Sequence, residues 1–247
     1  MVPVNAILSG SIREIEVQIK DKRARGFQVY KLKIGNSIED DLEKVKFVAG
    51  NVAAGSRLRL DANRAYDASD AAVLLDRLRD FDIEFIEEPL QPKSLHLLSE
   101  LHKKSGFPFA LDDSLTDLLD IQGLPSAKLL ELAYAEAFDV AVIKPTITGG
   151  VLRSLDLIEK LGSLGIKAVI SSTIESGVGS TALLHLAASM RERYLACGFD
   201  TLSLLEHTLI EEDLKIENGF MCVPNPPGLG VTVTAFEKAF SKEPHTS

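Results

Sequence analysis

Lys31 and Lys33, Asp61, Glu87, Asp112 and Lys144 stand at the ends of five short apolar runs. Three carboxylates on successive runs, with lysines before and after them, offer hard oxygen ligands for one divalent cation between two groups able to carry protons. Three such acids, with room left for water or substrate, suit Mg²⁺, and Mn²⁺ would also fit. A proton beside a carboxylate is very weakly acidic, and its removal leaves two negative charges on one small group. A cation over the carboxylate oxygens is needed to hold that charge, because neither lysine alone would suffice. The chemistry indicated is proton transfer at carbon next to a carboxylate.

Those six residues are useful only if the backbone brings them together, and the pattern around them says how. Apolar runs at residues 2–8, 29–34, 58–61, 83–87, 109–112, 140–144, 168–172 and 201–205 alternate with helical periodicity at 12–25, 38–51, 68–80, 94–105, 129–137, 151–164 and 180–193. Strands alternating with helices of this length imply a parallel sheet, and this order is that of a TIM-like (β/α)7β barrel. Glycines such as Gly26, Gly106 and Gly165 close helices just before the next strand. In such a barrel the working residues sit at the C-terminal ends of the strands, where the connecting loops converge on one mouth. Asp61, Glu87 and Asp112 then end the third, fourth and fifth strands, and Lys144 ends the sixth.

Each acid taken alone has an ordinary explanation as a helix N-cap. Three in succession between inward lysines are poorly explained that way. Lys31 and Lys33 lie two apart, so alternation turns both inward while Leu32 and Ile34 face the helices. Two crowded, desolvated ammonium groups are expected to lower a lysine pKa toward neutrality, which makes a general base.

The chain of 247 residues with 45% hydrophobic content suits one large core, expected as a catalytic barrel over residues 1–205, with 206–247 as an extension packing outside it. That extension contains LKIENGFMCV, a hairpin with Asn218-Gly219 at its turn, then the proline-rich PNPPGLGV, and a final SKEPHTS expected to be frayed. A formal charge of −9 without a basic cluster argues against nucleic acid as partner, and no run is long enough to span a bilayer. Cys197 and Cys222 make neither a disulfide framework nor a zinc site, and a reducing cytoplasm is the expected setting. The five histidines are scattered and read as surface or packing residues, and Gly177-Val178-Gly179-Ser180 reads as a strand-to-helix turn more readily than a phosphate cradle. A small carboxylate is the partner these features favour.

KLKIG, LRLDANRAY, FIEEPL, ALDDSL and VIKPTITGG, spanning residues 31 to 150, resemble in content and order the motifs of the enolase superfamily, in the branch of muconate-lactonizing enzymes, dipeptide epimerases and o-succinylbenzoate synthases. ISSTIESGVG and GFDTLSLL resemble the seventh and eighth strands of the o-succinylbenzoate synthases, and the acidic DxD of dipeptide epimerases has no counterpart. The resemblance implies a Mg²⁺-dependent lyase that dehydrates 2-succinyl-6-hydroxy-2,4-cyclohexadiene-1-carboxylate through an enediolate, in menaquinone biosynthesis. By the same resemblance Lys33 would remove the α-proton and later help the hydroxyl leave. Lys144 would stabilise the enediolate, Lys31 would tune Lys33, and Asp61, Glu87 and Asp112 would hold Mg²⁺. Asn63 and Ser172 would be substrate contacts, or equally turn-forming residues.

Three features depart from the family. Asp113 stands where glutamate is usual, LLDIQGLPSAK reads as an inserted turn or helix extension, and the chain begins directly at the first barrel strand, without the N-terminal α+β capping domain of relatives. A barrel without that lid would admit water to its site. Racemisation of N-succinylamino acids or epimerisation of dipeptides uses the same proton abstraction and stays open. So do a barrel that binds without turnover and a Schiff-base aldolase, the last leaving the three acids unexplained.

Overall fold

Several of the helices that wall the barrel begin where a side-chain oxygen takes over the free amides of the first turn. In the computed structural model, which describes residues 1–120, 123–190 and 195–234, Ser11 and Glu14 form a reciprocal capping box on α1 (Ile12–Ala24). Ser37 caps α2 (Ile38–Asn51) and Asp67 caps α3 (Ala68–Arg77). These helices follow β2 (Ala6–Leu8), β3 (Val29–Lys33) and β4 (Arg57–Asp61). The alternation continues through β5 (Ile83–Glu87), α4 (Leu98–Ser105), β6 (Phe109–Leu111), α5 (Asp113–Asp117) and α6 (Ala127–Tyr134). It runs on through β7 (Val140–Ile143), α7 (Pro145–Thr148), α8 (Val151–Gly162), β8 (Lys167–Ile170) and α9 (Gly177–Ser189).

Strands β2 to β8 form one parallel sheet in chain order, the expected α/β barrel arrangement. Its outer face packs Leu8, Tyr30, Leu32, Leu60 and Ile86 against Ile15, Val45 and Leu74 of the helices. Its inner face holds a separate cluster of Phe85, Ala110, Val140, Val142 and Val169. Alternation along each strand produces the two clusters, one residue inward and the next outward.

The closing stave lies elsewhere than expected. Residues 201–205 contain a 3₁₀ turn, Leu202–Leu204, rather than a strand. The sheet is closed by Leu195–Gly198: Leu195 and Gly198 donate to the Ala168 and Ile170 carbonyls, and Cys197 exchanges bonds with the Pro3 carbonyl and the Asn5 amide. Parallel bridges Val4↔Cys197 and Ser171↔Gly198 mark both seams. The run at 2–8 also divides, because Val2–Pro3, here β1, pairs antiparallel with β10 (Phe220–Met221), whose hairpin partner is β9 (Ile216–Glu217). Asn218 and Gly219 form the expected turn, both with positive φ. The end of the helix expected at 180–193, the final SKEPHTS, His245 and two residues of the LLDIQGLPSAK segment lie outside the described residues.

The interior of the sheet also holds a cation. Arg59 is fully buried among the inward side chains, and a register shift between Leu58 and Arg59 sets Glu84 beside it. Its Nε lies 2.5 Å from Glu84 Oε2, its Nη1 donates to the Ala196 carbonyl, and its guanidinium rests over the Phe85 ring. Both cysteines are free, with Cys197 buried and Cys222 exposed. Among the described residues no helix is long and apolar enough to cross a membrane.

Candidate active site

The carboxylates of Asp61 and Glu87 end neighbouring strands as a register pair. Asp112 follows β6 directly, two residues beyond Ala110, the partner of Glu87. Alternation therefore turns all three to the same inner side. Lys31 is a register neighbour of Arg59, and Lys33 of Asp61. Lys144 follows β7, so lysines flank the acids at both ends of a five-strand arc.

The amines do not stand equivalently. Lys31 Nζ is 2.6 Å from Glu87 Oε1 and 3.0 Å from Asp61 Oδ2. Lys144 Nζ is 2.7 Å from Asp112 Oδ2 and 3.4 Å from Asp113 Oδ1. Lys33 is exposed and makes no ion pair among the described residues. The expected fall of a lysine pKa does not hold for Lys31. Burial works to lower it, but the charges of Glu87 and then Asp61 outweigh burial and raise it. Lys144 is likewise raised, Asp112 overcoming the opposing effect of burial. Sequence alternation placed two lysines side by side but could not show that one of them meets two carboxylates.

The helix-cap explanation of Asp112 fails on its hydrogen bonds. Asp112 occupies the N-cap position of α5, yet its side chain makes no capping bond. Glu88 does that work instead: its Oε1 accepts from the amides of Asp112 and Ser114, both at 2.7 Å, and its Oε2 accepts from the Ser114 hydroxyl. Arg64 steadies Glu88 through a backbone bond at 3.0 Å and a longer ion pair. The sequence reading passed over Glu88, although its place beside Glu87 in FIEEPL was a signal. A positive φ at Glu88 lets adjacent glutamates serve different groups.

Among the described residues no group of His, Cys, Asp and Glu side chains converges as a ready-made metal cage. The ammonium groups of Lys31 and Lys144 are the cations these acids face. The donor set nevertheless fits a hard divalent ion. Among the described residues Asp112 Oδ1 is buried without a hydrogen-bond partner, and Asp61 Oδ1 accepts from the Asn63 amide at 3.2 Å. Glu87 is raised by burial, and although Lys31 opposes this, Asp61 and Asp112 add to it. Such crowded negative charge is relieved by a cation with oxygen affinity.

Asn63 is exposed and has φ 45°, a left-handed turn position. Ser172 is buried, and its hydroxyl donates to Glu175 and accepts from Thr201 at 3.0 Å and the Ile174 amide. Those bonds shape the loop after β8. Glu175, another residue the sequence reading missed, also accepts from Thr146 and Thr173. Gly177-Val178-Gly179-Ser180 opens α9 behind the Ser176 cap, the strand-to-helix turn. His102 pairs with Asp139 and meets the Phe109 ring edge-on, a packing role.

A family model described as enolase C-terminal domain-like matches residues 14–238. An o-succinylbenzoate synthase from Thermobifida fusca (strain YX) is 33% identical over 226 residues, covering 90% of this chain and 66% of that protein. The substrate-liganded L-Ala-D/L-Glu epimerase from Bacillus subtilis superimposes with a TM-score of 0.84 at 23% identity, covering 95% of this chain and 64% of the other. The dipeptide epimerase from Enterococcus faecalis V583, complexed with Mg and the dipeptide L-Leu-L-Tyr, gives a TM-score of 0.82 at 26% identity, with 94% and 64% covered. The chain thus spans slightly less than two thirds of these relatives' length.

Proposed function

Because this chain belongs to the enolase C-terminal domain-like family, we propose that it is the barrel of a Mg²⁺-dependent lyase acting at carbon next to a carboxylate, and that its reaction is dehydration of 2-succinyl-6-hydroxy-2,4-cyclohexadiene-1-carboxylate to o-succinylbenzoate, a step of menaquinone biosynthesis. The observation that carries this reading is the arc of side chains from β3 to β7, in which three acids on adjacent strands lie between Lys31 and Lys144. Similarity to the Thermobifida fusca enzyme supports the choice of substrate.

Asp61, Glu87 and Asp112 would hold the cation, with Mn²⁺ as a substitute. When bound, it supplies positive charge for the substrate's carboxylate oxygens. Lys33, exposed beside the acids and without an ion-pair partner among the described residues, takes the α-proton and returns it to the departing hydroxyl as water forms. Lys144 keeps its proton, in accord with its raised pKa, and its charge faces the developing negative charge from the other end of the arc. Lys31 places a second fixed positive charge beneath Lys33 on the same strand. Asn63, exposed next to Asp61, would touch the substrate. Ser172 would act through the loop it shapes.

The test is incubation of the chain with the cyclohexadiene substrate in Mg²⁺ and, separately, in EDTA. Product formed with Mg²⁺, lost in EDTA and absent in Lys33→Ala supports the proposal. No product in Mg²⁺, or equal product in EDTA, overturns it. A second reading is favoured by the likeness to an epimerase complexed with Mg and a dipeptide: Lys33 takes the proton and Lys144 returns one from the other side. Deuterium appearing at the α-carbon of dipeptides or N-succinylamino acids would select it.

A further inference from the structure

Asp41 sits on the first turn of α2 and is fully buried. Its Oδ2 accepts from the backbone amides of Gly35 at 3.0 Å and Asn36 at 2.9 Å, and also from the Tyr66 hydroxyl. Among the described residues its Oδ1 has no hydrogen-bond partner and no cation pairs with it. A buried carboxylate without a counter-charge is costly, and the three hydrogen bonds it accepts offset that cost. What this carboxylate does provide is location.

Gly35 and Asn36 lie just beyond Lys33, on the loop leaving β3. Tyr66 lies on the loop leaving β4, just beyond Asp61 and Asn63. One oxygen atom therefore fastens together the loop after the amine and the loop after the first acid. The two loops also touch directly. Gly35 has φ 118°, and a Cβ there would fall 2.9 Å from the Ala65 Cβ and 3.1 Å from the Ala62 carbonyl. Between them, the Ile34 amide donates to the Asp61 carbonyl at 2.9 Å. Burial, reinforced by Asp41, pushes the Tyr66 phenol up, so it remains a donor.

We propose that Asp41, with Tyr66, is a positioning residue that fixes the Lys33 amine against the Asp61 edge of the mouth. This rests on Lys33 being the base. A displaced base costs rate rather than binding, because a shift of about 1 Å in a reacting group can cost on the order of 100-fold. The acids, held by the strand ladder and by Glu88, should not move with it.

The experiment compares Asp41→Ala, which removes the accepting oxygen, and Tyr66→Phe with the wild-type chain, each normalised to folded protein by far-ultraviolet circular dichroism. In Asp41→Ala, kcat for dehydration should fall about 10-fold or more while KM and the Mg²⁺ Kd stay within about 2-fold. Tyr66→Phe, which keeps both amide bonds, should lose about 3-fold and serves alone if Asp41→Ala does not fold. Wild-type kcat per folded molecule in the folded variants overturns the proposal, as does a loss that only follows the unfolded fraction. If the wild-type chain turns over none of the branch's substrates, the proposed function has failed and the strut is judged on ¹³C-methyl signals of reductively methylated lysines. The Lys33 signal, assigned with Lys33→Arg, must then shift or change width in the variants while that of Lys144 does not. An unchanged Lys33 signal would sink it.

Discussion

A carboxylate at the start of a helix is drawn to the free amides there, and Asp112 resists that pull because Glu88 already occupies them. The result is an acid whose Oδ1 stays buried and unpartnered while its Oδ2 pairs with Lys144. Glu88→Gln should therefore weaken Mg²⁺ binding by about 10-fold, because residues that orient ligands typically matter by about 10- to 100-fold. Isothermal titration of Mg²⁺ into both proteins checks it, and an unchanged Kd would mean that Glu88 does not orient Asp112. Asp61, Glu87 and Asp112 were readable in the sequence because each ends an apolar run. Glu88 was not, because a left-handed residue at a strand end breaks the alternation on which that reading depends. Asp41 was hidden for another reason: it sits among the acids of a helix first turn, where acids are commonplace.

The loop after β8 is an element held by one side chain. Burial of Glu175 tends to raise its carboxyl, but bonds from Ser172, then Thr146 and Thr173, hold it down at about 2, below the ordinary 4.5. A depressed carboxyl contributes stability above its unfolded pKa and loses it as pH falls from about 4.5 toward about 2. Glu175→Gln should cost on the order of 1 kcal/mol at pH 7, discounted for partial solvent exposure, and less at pH 3.5. Denaturant unfolding of both proteins at the two pH values gives the comparison, and a gap that widens on acidification contradicts it. Strands with several β-branched or apolar residues in alternation were legible as elements, as with VYKLK and IEFIE. The closing stave was not. Residues 195–198 join the sheet through backbone bonds and a run of only three apolar side chains, whereas TLSLL offers the longer apolar run and folds as a turn.

For the molecule as a whole, crowded acids at one end of the barrel mean that a bound cation should raise stability by mass action. At a Mg²⁺ concentration about 100 times Kd the gain is about 2.7 kcal/mol, which for a chain of this size corresponds to about 5–10 °C. Calorimetry with Mg²⁺ against EDTA measures it, and coincident transitions would count against a metal site in this chain. The overall architecture was readable because strand and helix periods alternate throughout. The charged interior was not, since Arg59 occupies an inward strand position where the pattern predicts an apolar residue, and only the register shift at Glu84 reveals its partner. The pairing of Val2 with Met221 reaches further still. Val2 cannot take its final neighbour until the hairpin more than two hundred residues downstream has been translated, about 10–40 seconds later at typical rates of synthesis. Until residues 195–198 arrive, the nascent barrel sheet also has unpaired edges at β2 and β8, open to pairing with another chain.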